Sequence, residues 1–234
     1  MKAIFMRELR AYFHTPIGYV FIGMFLLVSG YFFAISNLLP KSPELGTVLS
    51  NMMMMFIFLI PVLTMRLLSE ERNSRTDQLL MTAPISVRDI VLGKFFAAAA
   101  LYAITLLATL IYLFVIGVHG QPAYAKIFCN YLGFLLLGCS FISVGLFISS
   151  LTQNQSSAAI ATFAAVLFLY VLDWSRGVVS AGIITKLISL FNITGWYIDF
   201  ELGILSIPAI FYYVSFIAVF LVLTCFSVNK RRWS

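Results

Sequence analysis

The residues of this 234-residue chain that most readily do chemistry are His14 and His119, three cysteines, serines such as Ser140 and Ser143, and a Gly93-Lys94 pair. Their spacing supports no familiar reaction. Gly93-Lys94 lacks the upstream glycine and the following hydroxyl residue of a phosphate-cradling loop, so the chain has no means of its own to hold ATP. No H-E-x-x-H occurs. Ser140 and Ser143 lie in an apolar stretch with no His or Lys at the same depth to activate them, so they read as packing or interhelix hydrogen-bonding groups. Cys129, Cys139 and Cys225 all lie in apolar runs without a C-x-x-C, which makes them small packing residues rather than a disulfide framework or metal site. No bound cofactor or metal is expected, and a lipid-modifying enzyme would need a convergent polar site that is not visible.

A different kind of chemistry, that of docking, is written in the longest polar stretch, Arg66–Asp89 (RLLSEERNSRTDQLLMTAPISVRD). Ser69 is placed to cap a short helix over 69–82, and Glu70 and Glu71 suit its positive N-terminal end. Arg66/Glu70 and Glu71/Arg75 stand at i,i+4, each pair contributing only about 0.2–0.5 kcal/mol. Leu79, Leu80 and Met81 then form an apolar end, Pro84 stops the helix, and Ser86-Val87-Arg88-Asp89 has the form of a capping box that opens the next segment. The segment has too little chain of its own to bury Leu79–Met81, so a membrane surface or a partner's groove must cover them. A solvated connector is the alternative.

The elements that position this stretch are membrane spans. The chain is 62% hydrophobic and 10% charged, with a mean hydropathy of +1.00. Water-soluble domains are about 45–50% apolar and about 25% charged, and disorder requires low hydrophobicity with high charge. Both classes are excluded. Six stretches reach the roughly 20 residues that cross a bilayer core: Ile17–Leu39, Val48–Leu67, Ile90–Val118, Ile127–Ser149, Ser156–Val179 and Ile204–Val228. The third would run roughly 43 Å as a continuous helix and must tilt or project. Pro61 is expected to kink the second. An apolar stretch running from Pro16 to about Leu39, without a small-residue cleavage site, argues against a removable signal.

The net charge of +6 is not a nucleic-acid footprint here, because the cations sort by side. With the N-terminus inside, eleven of the fifteen Lys and Arg residues (Lys2, Arg7, Arg10, Arg66, Arg72, Arg75, Arg88, Lys94, Lys230, Arg231, Arg232) fall on the cytoplasmic side, leaving Lys41, Lys126, Arg176 and Lys186 outside. This positive-inside bias places both termini in the cytoplasm.

Flanking segments add detail. Phe5, Met6, Leu9, Tyr12 and Phe13 share one helical face and Arg7, Glu8, Arg10 and His14 the other. Residues 1–15 are thus an amphipathic helix lying in the membrane plane, or alternatively a cytoplasmic extension of the first span. Residues 180–203 are apolar and aromatic, including Trp196, yet too short for two spans. They read as a re-entrant or interface-lying hairpin, or as one interfacial loop in an aromatic belt. Asp173 and Arg176 stand at i,i+3 near the outer end of the fifth span, as a gate or as an interfacial anchor beside Trp174. Ser157, Ala161 and Ala165 form a small-residue stripe suited to intrasubunit packing or to a dimer seam.

Glu70-Glu71-Arg72, Thr76, Leu79-Leu80, Thr82-x-Pro84-Ile85-Ser86 and Asp89-Ile90-Val91-Leu92-Gly93-Lys94 form a pattern, accompanied by Arg7-Glu8-Leu9, Leu202-Gly203-Ile204 and Lys230-Arg231-Arg232-Trp233. In these features the chain resembles the permease subunit of ABC type-2 transporters, most closely the branch associated with gliding motility and nitrous-oxide-reductase maturation. The resemblance implies an all-α integral membrane protein of six spans in a bacterial cytoplasmic membrane. Residues 1–15 would be an interface helix carrying Arg7, Glu8 and Arg10, and 180–203 would be re-entrant helices sealing the outer side. Residues 69–82 would be a coupling helix seated in an ABC ATPase subunit of a dimer that uses ATP and Mg. Glu70, Glu71, Arg75 and Thr76 would lie at the rim, with Leu79 and Leu80 in the groove. A second permease chain, identical or related and bearing an extracytoplasmic domain, would complete the pathway, with membrane lipids as further partners. Export is the implied task; an ATP-driven machine that transmits force or extracts lipids or lipoproteins is the alternative. A tag placed after Ser234 should be reached by impermeant label only from the cytoplasmic side; labelling from the outer side of intact cells overturns the topology.

Overall fold

The computed structural model describes residues 1–40, 44–73, 86–119, 123–174 and 192–232, and among them every regular element is helical. Six helices are long and apolar enough to cross a membrane: Pro16–Leu38 (span 1), Gly46–Asn73 (span 2), Val87–Gly117 (span 3), Tyr124–Leu151 (span 4), Gln155–Leu172 (span 5) and Ile207–Lys230 (span 6). A separate helix, Lys2–His14, precedes them, and a short one, Tyr197–Glu201, precedes span 6.

The departures from regular helix have local causes. Thr15 is extended (φ −112°, ψ 152°) ahead of Pro16, because the proline ring disfavours helical geometry in its predecessor. The chain therefore turns between the first helix and span 1. In span 2 a 3-10 turn at Met53–Met55 precedes the helix Phe56–Thr64 that contains Pro61. The missing proline N–H leaves the Ile57 carbonyl without its ladder donor. Span 3 relieves its excess length by breaking at Thr109–Leu110, where the bonds tighten to Thr109 N→Leu106 O (3.1 Å) and Leu110 N→Leu107 O (3.0 Å). Its start is capped as expected, the Ser86 side chain accepting from the Asp89 N–H.

Ser69, by contrast, caps nothing. Its hydroxyl donates backward to the Met65 carbonyl, and the chain runs from Thr64 through a turn into the helix Ser69–Asn73 as a continuation of span 2. Ser140 and Ser143 also bond within their own helix, to Leu136 O (3.0 Å) and Ser140 O (2.7 Å), rather than between helices. This is the usual recourse of a hydroxyl with no polar neighbour.

Span 4 is the axis of the bundle, contacting spans 2, 3, 5 and 6 and the Tyr197–Glu201 helix. Phe25, Phe56, Tyr102, Phe134, Phe141 and Tyr197 form its aromatic core, with Tyr102 donating to the Phe134 carbonyl at 2.7 Å. Close approach depends on missing side chains. A Cβ at Gly138 would lie 2.4 Å from the Tyr102 ring, and one at Gly145 2.3 Å from Thr64 Oγ1. In span 5 the buried stripe is Ala158, Thr162, Val166 and Leu169. Ser157 is exposed, and Ala161 and Ala165 are half-buried at the edge of the contact.

At the end of the bundle away from the first helix, Ile193 is buried, its carbonyl accepting from Tyr213 Oη at 2.6 Å, and Trp196 stacks on Tyr212. The short helix closes at Gly203 (φ +85°), with Ile204 N bonding Asp199 O and Gly203 N bonding Phe200 O. This is a left-handed cap that only glycine adopts cheaply. Residues 192–203 thus form a packed cap over spans 2, 4 and 6. Residues 180–191 and Arg176 lie outside the described residues, as does the Asp173 side chain. Gly138→Val should destabilise the purified protein by about 1–3 kcal/mol through overpacking, read as a lowered thermal midpoint; an unchanged midpoint refutes the Tyr102 notch.

Candidate functional site

Three chain segments converge at the end of the bundle where span 2 leaves the membrane, and four charges join them. Lys94, about two turns inside span 3, is 2% exposed, with Nζ 3.1 Å from Glu8 Oε1 and 3.0 Å from Glu71 Oε1. Arg7 Nη2 donates to the same two oxygens, at 2.5 Å and 2.6 Å. Two cations therefore bridge two carboxylates that are each 15% exposed. Glu8 and Arg7 come from the N-terminal helix, Glu71 from the extension of span 2, and Lys94 from span 3.

The sequence led to a different expectation for two of these groups. Glu8 was placed on the polar outer face, yet the helix turns Ile4, Glu8 and Tyr12, spaced at i,i+4, toward the bundle and leaves Met6, Arg10, Phe13 and His14 outward. Gly93-Lys94 looked isolated at the foot of a helix. Gly93 in fact admits the first helix, since a Cβ there would lie 2.9 Å from Ile4 Cγ2, and Lys94 supplies the charge beneath it. The available signal was a lysine inside an apolar helix, which needs a partner.

Further bonds brace the junction. Tyr12 Oη donates to the Leu63 carbonyl at 2.8 Å, and Arg66 reaches both Thr15 Oγ1 (2.7 Å) and Glu70 Oε2 (2.7 Å). The Arg66/Glu70 spacing thus forms the pair expected of it. On the other side, Leu68 N and Ser69 N donate to Ser149 Oγ at 3.1 and 3.2 Å, and Arg72 Nη1 donates to the carbonyls of Leu151 (3.3 Å) and Thr152 (3.2 Å). The stem 65–73 is held from both sides by polar groups. Arg75, Thr76, Leu79 and Leu80 lie outside the described residues.

Burial by itself would push the Glu8 carboxyl up, but Lys94 first and then Arg7 outweigh it and hold Glu8 below the ordinary carboxylate range. Arg7 moves up: burial opposes this, and the Glu8 and Glu71 carboxylates overcome it. Among the described residues no three His, Cys, Asp or Glu side chains converge as metal ligands. The arrangement is a clamp of two cations and two carboxylates that ties the span 2 stem to the first helix and to span 3.

A bundle of six apolar spans defines a multi-pass membrane protein. The family model described as ABC-2 family transporter protein matches residues 12–175, more than half of the chain. The chain belongs to this family and is a transmembrane ABC transporter permease. Such permeases normally work with an ABC ATPase. No curated protein matches the chain.

Lys94→Met strands two carboxylates on Arg7 alone and should cost on the order of 3 kcal/mol, measured by unfolding in detergent; a loss within error of zero refutes the clamp. Because folding lowers the Glu8 proton affinity, its contribution is complete at neutral pH and fades as pH falls through the carboxylate range. Wild-type stability should therefore drop on acidification more steeply than that of Glu8→Gln.

Proposed function

We propose that this chain forms half of the translocation pathway of a bacterial ABC exporter, within the gliding-motility and nitrous-oxide-maturation branch. A separate ATPase dimer that binds ATP and Mg would power it. In this reading both termini are cytoplasmic, residues 69–82 are the coupling helix, residues 1–15 the interface helix, and 180–203 the outer seal near Asp173, Arg176 and Trp196. The observation that supports it best is the four-charge clamp on the stem of the 69–82 segment. A load applied at Leu79 and Leu80 would reach Lys94 through Glu71 rather than dissipate in a loose loop. The roles divide accordingly: Glu70, Arg75 and Thr76 face the ATPase rim, Leu79 and Leu80 enter its groove, and Glu71 is chiefly an anchor. A second permease chain, identical or related, completes the pathway, with Ser157, Ala161 and Ala165 at the margin of the packed face of span 5 available to it.

Buried apolar anchors carry docking energy and rim charges tune it. Leu79→Asp should abolish co-purification of the partner ATPase while leaving membrane insertion intact. Glu71→Lys should retain the ATPase but lose the coupling between its activity and transport. Wild-type ATPase retention by Leu79→Asp refutes the docking assignment, and wild-type coupling in Glu71→Lys refutes the anchor.

A further inference from the structure

Spans 3 and 6 part at the basic end of the bundle to leave a groove of about 710 Å³, bounded by Ser86, Arg88, Leu92, Val222, Phe226 and Asn229 among others. Its lining is graded. Ser86, Arg88 and Asn229 stand near the helix ends. Leu92 lies one turn deeper on span 3, and Phe226, Val222 and Leu221 continue inward on span 6. From Asn229 to Leu221 the helix rises roughly 12 Å, most of the roughly 15 Å depth of one leaflet's hydrocarbon. Arg88 is exposed and has no hydrogen bond or ion pair among the described residues. The neighbouring acid, Asp89, accepts from the Ser86 hydroxyl at 2.7 Å and pairs with the Met1 amino group at 3.7 Å. Among the described residues no acidic side chain lines the groove.

An uncommitted guanidinium over an apolar trough matches an amphiphile with an anionic head and an acyl tail, because guanidinium binds phosphate through paired N–H donors. A water-soluble anion would leave the apolar wall bare, and a neutral lipid would leave Arg88 unused. We propose that this groove is a binding site for an anionic glycerophospholipid, with its phosphate at Arg88 and Asn229 and the upper part of one acyl chain along Leu92, Val222 and Phe226. Basic clefts between spans are a recurrent way of holding such headgroups. Only the leaflet from which the lipid comes depends on the orientation proposed above; the binding itself depends neither on orientation nor on an ATPase.

The test is native mass spectrometry of the full chain, delipidated in mild detergent and titrated with dioleoyl phosphatidylglycerol or dioleoyl phosphatidylcholine. Wild type should retain the anionic lipid about fivefold better than the zwitterionic one. Arg88→Gln should erase that preference, and Val222→Trp, which fills the wall at an exposed position, should reduce retention of phosphatidylglycerol. Equal retention of the two lipids, an undiminished preference in Arg88→Gln, or unchanged retention in Val222→Trp overturns the site. Displacement of phosphatidylglycerol by an equal concentration of inorganic phosphate would also overturn it, because the acyl contact would then contribute nothing. Loss of ATPase co-purification or a reversed topology, by contrast, leaves these readings untouched.

Discussion

A lysine buried in an apolar helix is the constraint from which much of this structure follows. Taking an ammonium out of water costs several kcal/mol unless opposite charge meets it at hydrogen-bonding distance. Lys94 lies too deep to reach solvent by stretching, so carboxylates must come to it. Glu8 arrives on one helix and Glu71 on another. Arg7 balances the second negative charge and closes the set at two cations against two anions. This requirement fixes the roll of the first helix, the direction of the chain after Leu68 and the seat of span 3 together.

Packing around the clamp follows the same logic of necessity. The first helix approaches span 3 closely only because position 93 has no side chain, and it stays parallel to the bundle surface only because Thr15-Pro16 prevents it from continuing into span 1. Lower down, span 4 accepts Tyr102 and Thr64 against Gly138 and Gly145. In a bilayer, where no hydrophobic force drives apolar helices together, such close fits and the hydrogen bonds they allow do much of the association. The opposite end is secured differently, by the Ile193 carbonyl held by Tyr213 and a glycine-terminated turn. One end is thus held by charge and the other by shape.

That contrast suits a machine driven from one side. Ion pairs shared between two cations tolerate small displacements, because a carboxylate that leaves one donor retains the other. A packed aromatic core has few arrangements between its allowed ones. Under the proposed coupling function, a stem tied through charges to two helices above a packed core converts a push into a change of packing.

Much of the architecture was legible in residue order. Six apolar runs, the Thr15-Pro16 break and the Ser86 cap follow from hydropathy and backbone sterics, which act over a few residues and leave direct traces in the sequence. The family pattern in 66–94 was equally readable, because it is local. The pairing of Glu8 and Glu71 with Lys94 was not. These residues are separated by 86 and 23 positions in the chain, and helical periodicity assigned Glu8 to the outer face because it counts polarity without knowing that a buried partner waits inside. Ser69 was misjudged for a related reason: a capping residue and a mid-helix hydroxyl look alike until it is known whether the preceding turn continues. The sequence by itself determined that the chain crosses the membrane six times and which end is basic, since transfer of side chains into lipid is nearly additive. Only the tertiary structure decided which charges meet, because an ion pair depends on distances among segments that share no local signal.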